Sequence, residues 1–272
     1  MVQMNEQVSK QIHTIGPARR HLVLLRAGDQ SLHPTWYGKG ERSWDLALSY
    51  FGDQVDPYPQ HHDFLHRFKG SKWQGIADFV RRYPDLLARY ERIWLPDDDL
   101  LATQSAINLL FDASGAYGLS LTQPALRFYS HVSWGVTLQH PWAHARETNF
   151  VEVMAPCFDR AAWQAMSDTF SENSSGWGLE WLWLARARAQ GLRLGVIDEA
   201  AVFHTRPVGS AGHGGGLGSP IQEMKDLLQR HGLRRETPRT LRYLNGAWTG
   251  ALCPSFVLLQ LNRMMIRALV RP

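Results

Sequence analysis

Apolar residues come in short, unbroken runs in the first half of this chain, and polar loops follow them. After a polar, aperiodic lead-in of residues 1–20, residues 21–25 (His-Leu-Val-Leu-Leu) read as a first buried strand and 44–50 as a second, closed by a Gly52-Asp53 turn. Runs without polar alternation are what strands covered on both faces require. Between them lies a polar loop, Arg26-Ala27-Gly28-Asp29-Gln30-Ser31-Leu32-His33. Such a loop, at the C-terminal end of a first parallel strand, is where α/β folds bind nucleotides. A helix opens at Gly70-Ser71-Lys72-Trp73, with apolar Ile76, Phe79, Val80, Leu86 and Leu87 and a break or kink at Pro84. A third strand, 93–100, ends in Asp97-Asp98-Asp99, and a helix through Ala106, Leu109, Leu110 and Phe111 follows. Strand, helix, strand, helix predicts an α/β fold with a central, mostly parallel mixed sheet flanked by helices.

The second half has a different texture. Residues 120–147 are rich in aromatics and histidine without a steady period, which predicts long loops with short strands. Residues 150–155 read as a strand, and Asp159 is placed to cap a helix from Arg160 to about Phe170. Gly176-Trp177-Gly178-Leu179-Glu180 opens a helix that stops at Gly191; apolar runs at 194–197 and 201–204 complete the core. Residues 208–219 are glycine-rich, a lid or a linker. Ser219-Pro220-Ile221-Gln222 has the form of a capping box, predicting a helix to about His231. Residues 232–250 are basic and irregular, and 256–270 form a last helix with Arg263, Arg267 and Arg271 on one face. The division that follows is a lead-in (1–20), one α/β domain (21–250) and a basic amphipathic C-terminal helix (251–272).

Composition narrows the choices. A chain of 272 residues with 44% hydrophobic positions can bury a sizeable core. The formal charge is only +4 and the basic residues are scattered, so charge implies no nucleic-acid partner. Two cysteines, Cys157 and Cys253, make neither a disulfide framework nor a zinc site, which fits a reducing compartment. With no signal-peptide pattern and no spanning run, the expected location is cytoplasmic.

The carboxylate triplet needs a physical reason, because three acidic side chains at a strand end repel one another unless something offsets them. In one reading Asp99 caps a helix starting near Leu101, and its neighbours sit in the field of that helix's first turn. In the other, Asp97 and Asp99 point the same way and hold a hard divalent cation that carries a nucleotide diphosphate. The pairs His62/His66 and His140/His144 have helical spacing, but with no glutamate between them they are read as chance.

Four segments carry a resemblance. Arg26-Ala27-Gly28-Asp29 with Ser31-Leu32-His33, then Leu95-Pro96-Asp97-Asp98-Asp99, Val151-Glu152-Val153-Met154-Ala155-Pro156 and Gly176-Trp177-Gly178-Leu179-Glu180 stand in the order found in a family catalogued as domain of unknown function 707. That family in turn resembles glycosyltransferases of the GT-A fold. The resemblance spans about residues 21–207 and implies a nucleotide-sugar enzyme with a glycan or lipid-linked glycan acceptor. Plant members carry an N-terminal membrane anchor, a pattern this sequence does not present.

On that resemblance Asp97 and Asp99 match a DxD motif that binds Mn²⁺ or Mg²⁺, and His204 resembles a late histidine that joins the metal shell; by itself His204 reads equally as a hydrogen-bonded structural residue. Glu180 is implied as the general base of an inverting transfer, with Trp177 and Gly178 at the acceptor; the plainer reading puts Glu180 in a helix's first turn. Arg26, Asp45 and Asp98 are implied on the donor side. Lys72 reads as a phosphate contact or an ordinary surface lysine, and Glu152 as facing either the sugar pocket or solvent. Trp134 and Trp142 are plausible acceptor contacts or core. The C-terminal helix suits an anionic membrane surface, the body of the protein or a second copy. Two other functions stay open: a catalytically silent sugar or nucleotide-sugar binding protein, and a metal-dependent phosphoesterase.

Overall fold

The computed structural model describes residues 19–207, 219–244 and 255–270, with side chains of the last helix described from 258 to 266. The predicted lead-in up to residue 18 and the glycine-rich stretch 208–218 lie outside the described residues. Strands β1 (His21–Ala27), β2 (Trp44–Tyr50), β3 (Phe64–Arg67), β4 (Arg92–Trp94), β5 (Leu100–Leu101), β6 (Leu121–Leu126), β7 (Ala145–Thr148), β8 (Cys157–Asp159), β9 (Leu194–His204) and β10 (Thr240–Leu244) belong to one sheet. The helices are α1 (Lys72–Arg82), α2 (Pro84–Leu87), α3 (Gln104–Ala116), α4 (Arg160–Met166), α5 (Leu179–Gln190), α6 (Pro220–Arg230) and α7 (Ser255–Val270). None of the helices among the described residues is long and apolar enough to cross a membrane.

The sheet runs β10-β7-β9-β6-β8-β4-β1-β2-β3, with β5 paired to β9. It is a mixed sheet flanked by helices, as expected, but it is not mostly parallel. Strands β3, β2, β1 and β4 run parallel, but β8 lies antiparallel to both β4 and β6, and β7 and β10 are antiparallel as well. Consecutive residues of β1 serve two cores. Leu22 and Leu24 pack with Trp73, Ile76, Phe79, Met166 and Trp183 under α1, α4 and α5. Val23 and Leu25 pack with Trp36, Ile107, Leu110 and Phe111 under α3. This is why β1 and β2 are apolar without alternation.

Three segments differ from expectation. The run 93–100 is not one strand: β4 stops at Trp94, and residues 95–99 bend before β5 begins. Residues 150–155 are not a strand either. They are a buried irregular segment whose carbonyls accept from the bent loop, Leu95 N to Pro156 O at 2.8 Å and Asp97 N to Met154 O at 2.9 Å. The α3 cap is Thr103, whose side chain accepts from the Ala106 amide, so Asp99 has no capping role. Asp159 does cap α4, and Gly191, in left-handed conformation, ends α5. Ser219 precedes α6 without a side-chain capping bond, and part of the stretch read as irregular forms β10.

Where β7 meets β9, Arg146 and Asp198 are both fully buried, bonded through Nε to Oδ2 at 2.8 Å and Nη2 to Oδ1 at 2.9 Å. Removing one partner leaves a buried charge uncompensated. Asp198→Ala is therefore expected to cost about 3–5 kcal/mol, read as a lowered urea midpoint; a loss below about 1 kcal/mol would mean that water reaches Arg146.

Candidate functional site

The bend after β4 places Asp97, Asp98 and Asp99 where the C-terminal ends of β1 and β4 meet the end of β9. Backbone bonds hold it from several sides: Leu32 N donates to Asp98 O at 2.8 Å and Thr205 N to Asp99 O at 3.2 Å, beside the two bonds to residues 154 and 156. Residues 98–99 form a turn rather than extended chain. Each of the three carboxylates meets a different basic side chain.

Asp97 Oδ1 accepts from Lys72 Nζ at 2.6 Å, and the same ammonium donates to Val153 O at 2.9 Å and Met154 O at 2.8 Å. Lys72 stands at the start of α1, where the Ser71–Gln74 capping box fixes the backbone. Burial disfavours both charges, lowering Lys72 and raising Asp97 from their ordinary values even though each favours the other's ionisation. Asp98 Oδ2 accepts from Gly28 N at 2.9 Å, and its Oδ1 lies 3.3 Å from Arg206. It thus clamps the loop after β1.

Asp99 is 7% exposed, and its Oδ2 lies 3.2 Å from His204 Nε2. His204 Nδ1 donates to His131 O at 2.7 Å, so Nε2 is the nitrogen that faces the carboxylate. Burial alone would lower the imidazole; the hydrogen bond and charge of Asp99, together with the His131 carbonyl and Asp97, outweigh it and carry His204 up to about 9. The other oxygen, Asp99 Oδ1, is buried without a hydrogen-bond partner among the described residues. That is an unmatched acceptor of the kind native interiors keep rare.

Two further acids reach the same locus. Glu152, 9% exposed, is pushed up to about 7 by burial, with Asp97 adding to the rise and His204, Ser133 and Lys72 opposing it. Glu180, 5% exposed, is pushed up to about 8 by burial and by Glu152, against backbone hydrogen bonds from residues 178, 180 and 153. Its Oε2 accepts from Gly178 N at 2.9 Å, so it does sit in the first turn of α5, yet burial outweighs the helix field. The loop before α5 is tightly constrained. Gly176 has φ +78, and a Cβ there would lie 1.9 Å from Trp73 Nε1; Gly178 has φ +99. Only glycine satisfies both conditions at Gly176.

The structure therefore gathers Asp97, Asp98, Asp99 and His204, with Glu180 joined to them through Glu152; Trp177, on the loop before α5, is 37% exposed. Two predicted donor residues are not brought in as ligands. All five N–H groups of Arg26 go to protein acceptors: Ser71 O, Ser49 O and Oγ, Phe68 O and Gly70 O. It braces the loop that launches Lys72. Asp45 lies at the opposite end, where β2 begins, bonded to Arg19 and to Tyr90 Oη at 2.9 Å. A cavity of about 410 Å³ lined by Arg20, His21, Arg92 and Arg160 opens at that same far end. Trp134 packs on Phe150 and Trp181, while Trp142 lies against His140. Among the described residues no three His, Cys, Asp or Glu side chains are grouped to hold a metal ion. Lys72 and Glu152, each read two ways in the sequence, belong to this locus, and Arg206 is the member that sequence reasoning did not raise. A lone acid within Val151-Glu152-Val153-Met154 was the one usable signal, since a carboxylate amid apolar neighbours is either exposed or functional.

Among known families, the model described as protein of unknown function (DUF707) matches residues 61–252. The match takes in the carboxylate loop, Glu152, the Gly176–Gly178 loop and His204, but not β1 or β2. The chain belongs to that family. No curated protein matches it.

A carboxyl group whose pKa is raised on folding keeps its proton in the native chain after the unfolded chain has lost it, so stability falls as pH rises through that window. For Glu180 the window runs from 4.5 to about 8. Glu180→Gln is expected to match the native chain near pH 4.5 and to exceed it above pH 8 by as much as a few kcal/mol, at about 1.4 kcal/mol per pKa unit. Urea midpoints at the two pH values measure it; a pH-independent difference would place Glu180 in an ordinary, solvated setting.

Proposed function

We propose that this member of the DUF707 family is a GT-A-type glycosyltransferase, moving a sugar from a nucleotide-sugar donor to a glycan or lipid-linked glycan acceptor with inversion. The observation that carries the reading is the convergence of Asp97, Asp99 and His204 with a buried Glu152–Glu180 pair where parallel strands end, the place at which α/β sheets bind ligands. Asp97, Asp99 and His204 are the residues that would hold Mn²⁺ or Mg²⁺. The unpartnered Oδ1 of Asp99, on the carboxylate whose Oδ2 lies 3.2 Å from His204 Nε2, supports that set, since carboxylate oxygen and imidazole suit manganese. When bound, the cation supplies positive charge for a departing diphosphate.

The rest falls to the chain's own groups. Glu180, beside the loop that bears Trp177, takes the proton from the acceptor hydroxyl; a carboxylate that titrates near neutrality is suited to this, and Glu152 tunes it. Trp177 offers an exposed indole face for a sugar. Asp98 fixes the Gly28 loop on the donor side. A lipid-linked acceptor would bring the enzyme to the cytoplasmic face of a membrane, and α7 supports such contact with exposed Leu261 and Met264 next to Arg263.

One observation favours a second reading, a binding protein without turnover. Lys72 already neutralises Asp97 at 2.6 Å, so the locus has a resident cation.

A thermal-shift screen of nucleoside diphosphates and nucleotide sugars, with and without Mn²⁺, separates the two. The expected result is a manganese-dependent rise of several degrees for one nucleotide at about 100 times its Kd, where binding contributes about 2.7 kcal/mol. Asp97→Ala/Asp99→Ala should lose it. Glu180→Gln should keep the shift and lose transfer by 100-fold or more. A manganese-independent shift without transfer supports the binding protein, and no shift with any nucleotide overturns both readings.

A further inference from the structure

The turn at Tyr129, Ser130 and His131 is held from two sides. On one side it holds His204: Ser130 Oγ accepts from His204 N at 3.1 Å, His131 N donates to His204 O at 3.1 Å, and His131 O accepts from His204 Nδ1 at 2.7 Å. On the other side stands α7. Asn262, 1% exposed, accepts from Tyr129 N and donates to Ser130 O at 3.0 Å through its side-chain amide.

The turn needs such a brace. Tyr129 has φ +71, a left-handed conformation that a non-glycine residue adopts at a cost of about 1–2 kcal/mol and keeps only when its surroundings impose it. Asn262 is the imposing group, because its amide satisfies one donor and one acceptor of the turn at once. Of the α7 side chains described, residues 258–266, Leu258 and Asn262 are buried, whereas Leu261 is 44% and Met264 64% exposed, so this stretch is keyed to the body by a polar bond pair as well as by apolar area.

We infer that α7 is a working part of the site, and that Asn262 is a positioning residue that aims His204 Nε2 at Asp99 through the 129–131 turn. It touches neither a reacting atom nor Asp99. The consequence for cation binding rests on the proposed function, whereas the positioning itself does not.

Backbone hydrogen exchange on the full-length chain, without added ion, tests the positioning directly. Asn262→Leu keeps the volume and removes both bonds. It is expected to speed exchange at His131, His204 and Thr205 by tenfold or more, while Val23 in β1 and Val196 at the other end of β9 keep their protection. Ser130→Ala deletes the acceptor for the His204 amide and should speed His204 exchange by itself. Combined with Asn262→Leu it should add less than the product of the two effects, since both act through one turn. Unchanged exchange at His131 and His204 while α7 amides lose protection would overturn the inference, as would effects that multiply independently. Where wild-type protein shows a manganese-dependent shift, Asn262→Leu should weaken the apparent affinity about tenfold; an unaltered affinity would also overturn the aiming role. A wild type that binds no manganese would count against the proposed function alone and leave the exchange result to decide the positioning.

Discussion

Adjacent carboxylates held about 5 Å apart at an effective dielectric of about 20 repel by about 3 kcal/mol per pair. The loop after β4 offsets this by giving each acid its own basic partner, Lys72 for Asp97, Arg206 for Asp98 and His204 for Asp99. Those partners come from the start of α1, the segment after β9 and the end of β9. The triplet therefore fastens three parts of the chain to one point, and its surroundings can be read as what is needed to keep the three partners there. Arg26 spends every N–H on the loop that launches Lys72, Gly28 N secures Asp98, and the 129–131 turn secures His204.

Around this fastening the protein also tolerates buried acids that do nothing for stability. Glu152 and Glu180 are buried, Glu152 helps to raise Glu180, and neither has a basic side chain hydrogen-bonded to it among the described residues. An interior selected for stability alone would hold apolar residues there. The glycines beside them tell a similar story. Gly176 in left-handed conformation against Trp73 brings the chain past an indole at a distance no side chain permits, and the turn so made lets Gly178 N reach Glu180. Strained backbone and raised acids at the same helix start are features that cluster at functional sites.

How much of this was legible follows from what kind of interaction fixed each part. The apolar runs of β1, β2 and β9 and the amphipathic helices were readable because burial acts on local pattern. The Asp159 cap and the Gly191 stop were readable because capping is local as well. The strand expected over 150–155 failed because a segment can be apolar and buried while its backbone bonds serve a neighbouring loop, here the carboxylate bend. β8 escaped because a three-residue strand inserted antiparallel between β4 and β6 has no period of its own. In the site, acids and histidine announced themselves by type. The partners did not: Lys72 is 25 residues from Asp97 and Arg206 is 108 from Asp98, distances that only tertiary structure closes. Arg26 and Asp45 were misread for the converse reason, since a charged residue at a strand end looks the same whether it faces a ligand or ties up the backbone.

Lys72 sets the terms on which anything can bind here. Its ammonium has three acceptors, and two of them, Val153 O and Met154 O, are carbonyls that remain if Asp97 turns elsewhere. Asp97, with a side chain 37% exposed, is the member of the trio with room to exchange partners, whereas Asp99 at 10% is not. On the proposed reading, a divalent cation alone would enter a locus where Lys72 and His204 already stand against Asp97 and Asp99, and part of its charge would go unanswered. A nucleotide diphosphate arriving with it restores the balance. On that reading the resident lysine would favour joint capture of cation and nucleotide over capture of a free ion; among the described residues no three such side chains are grouped as a ready-made metal site.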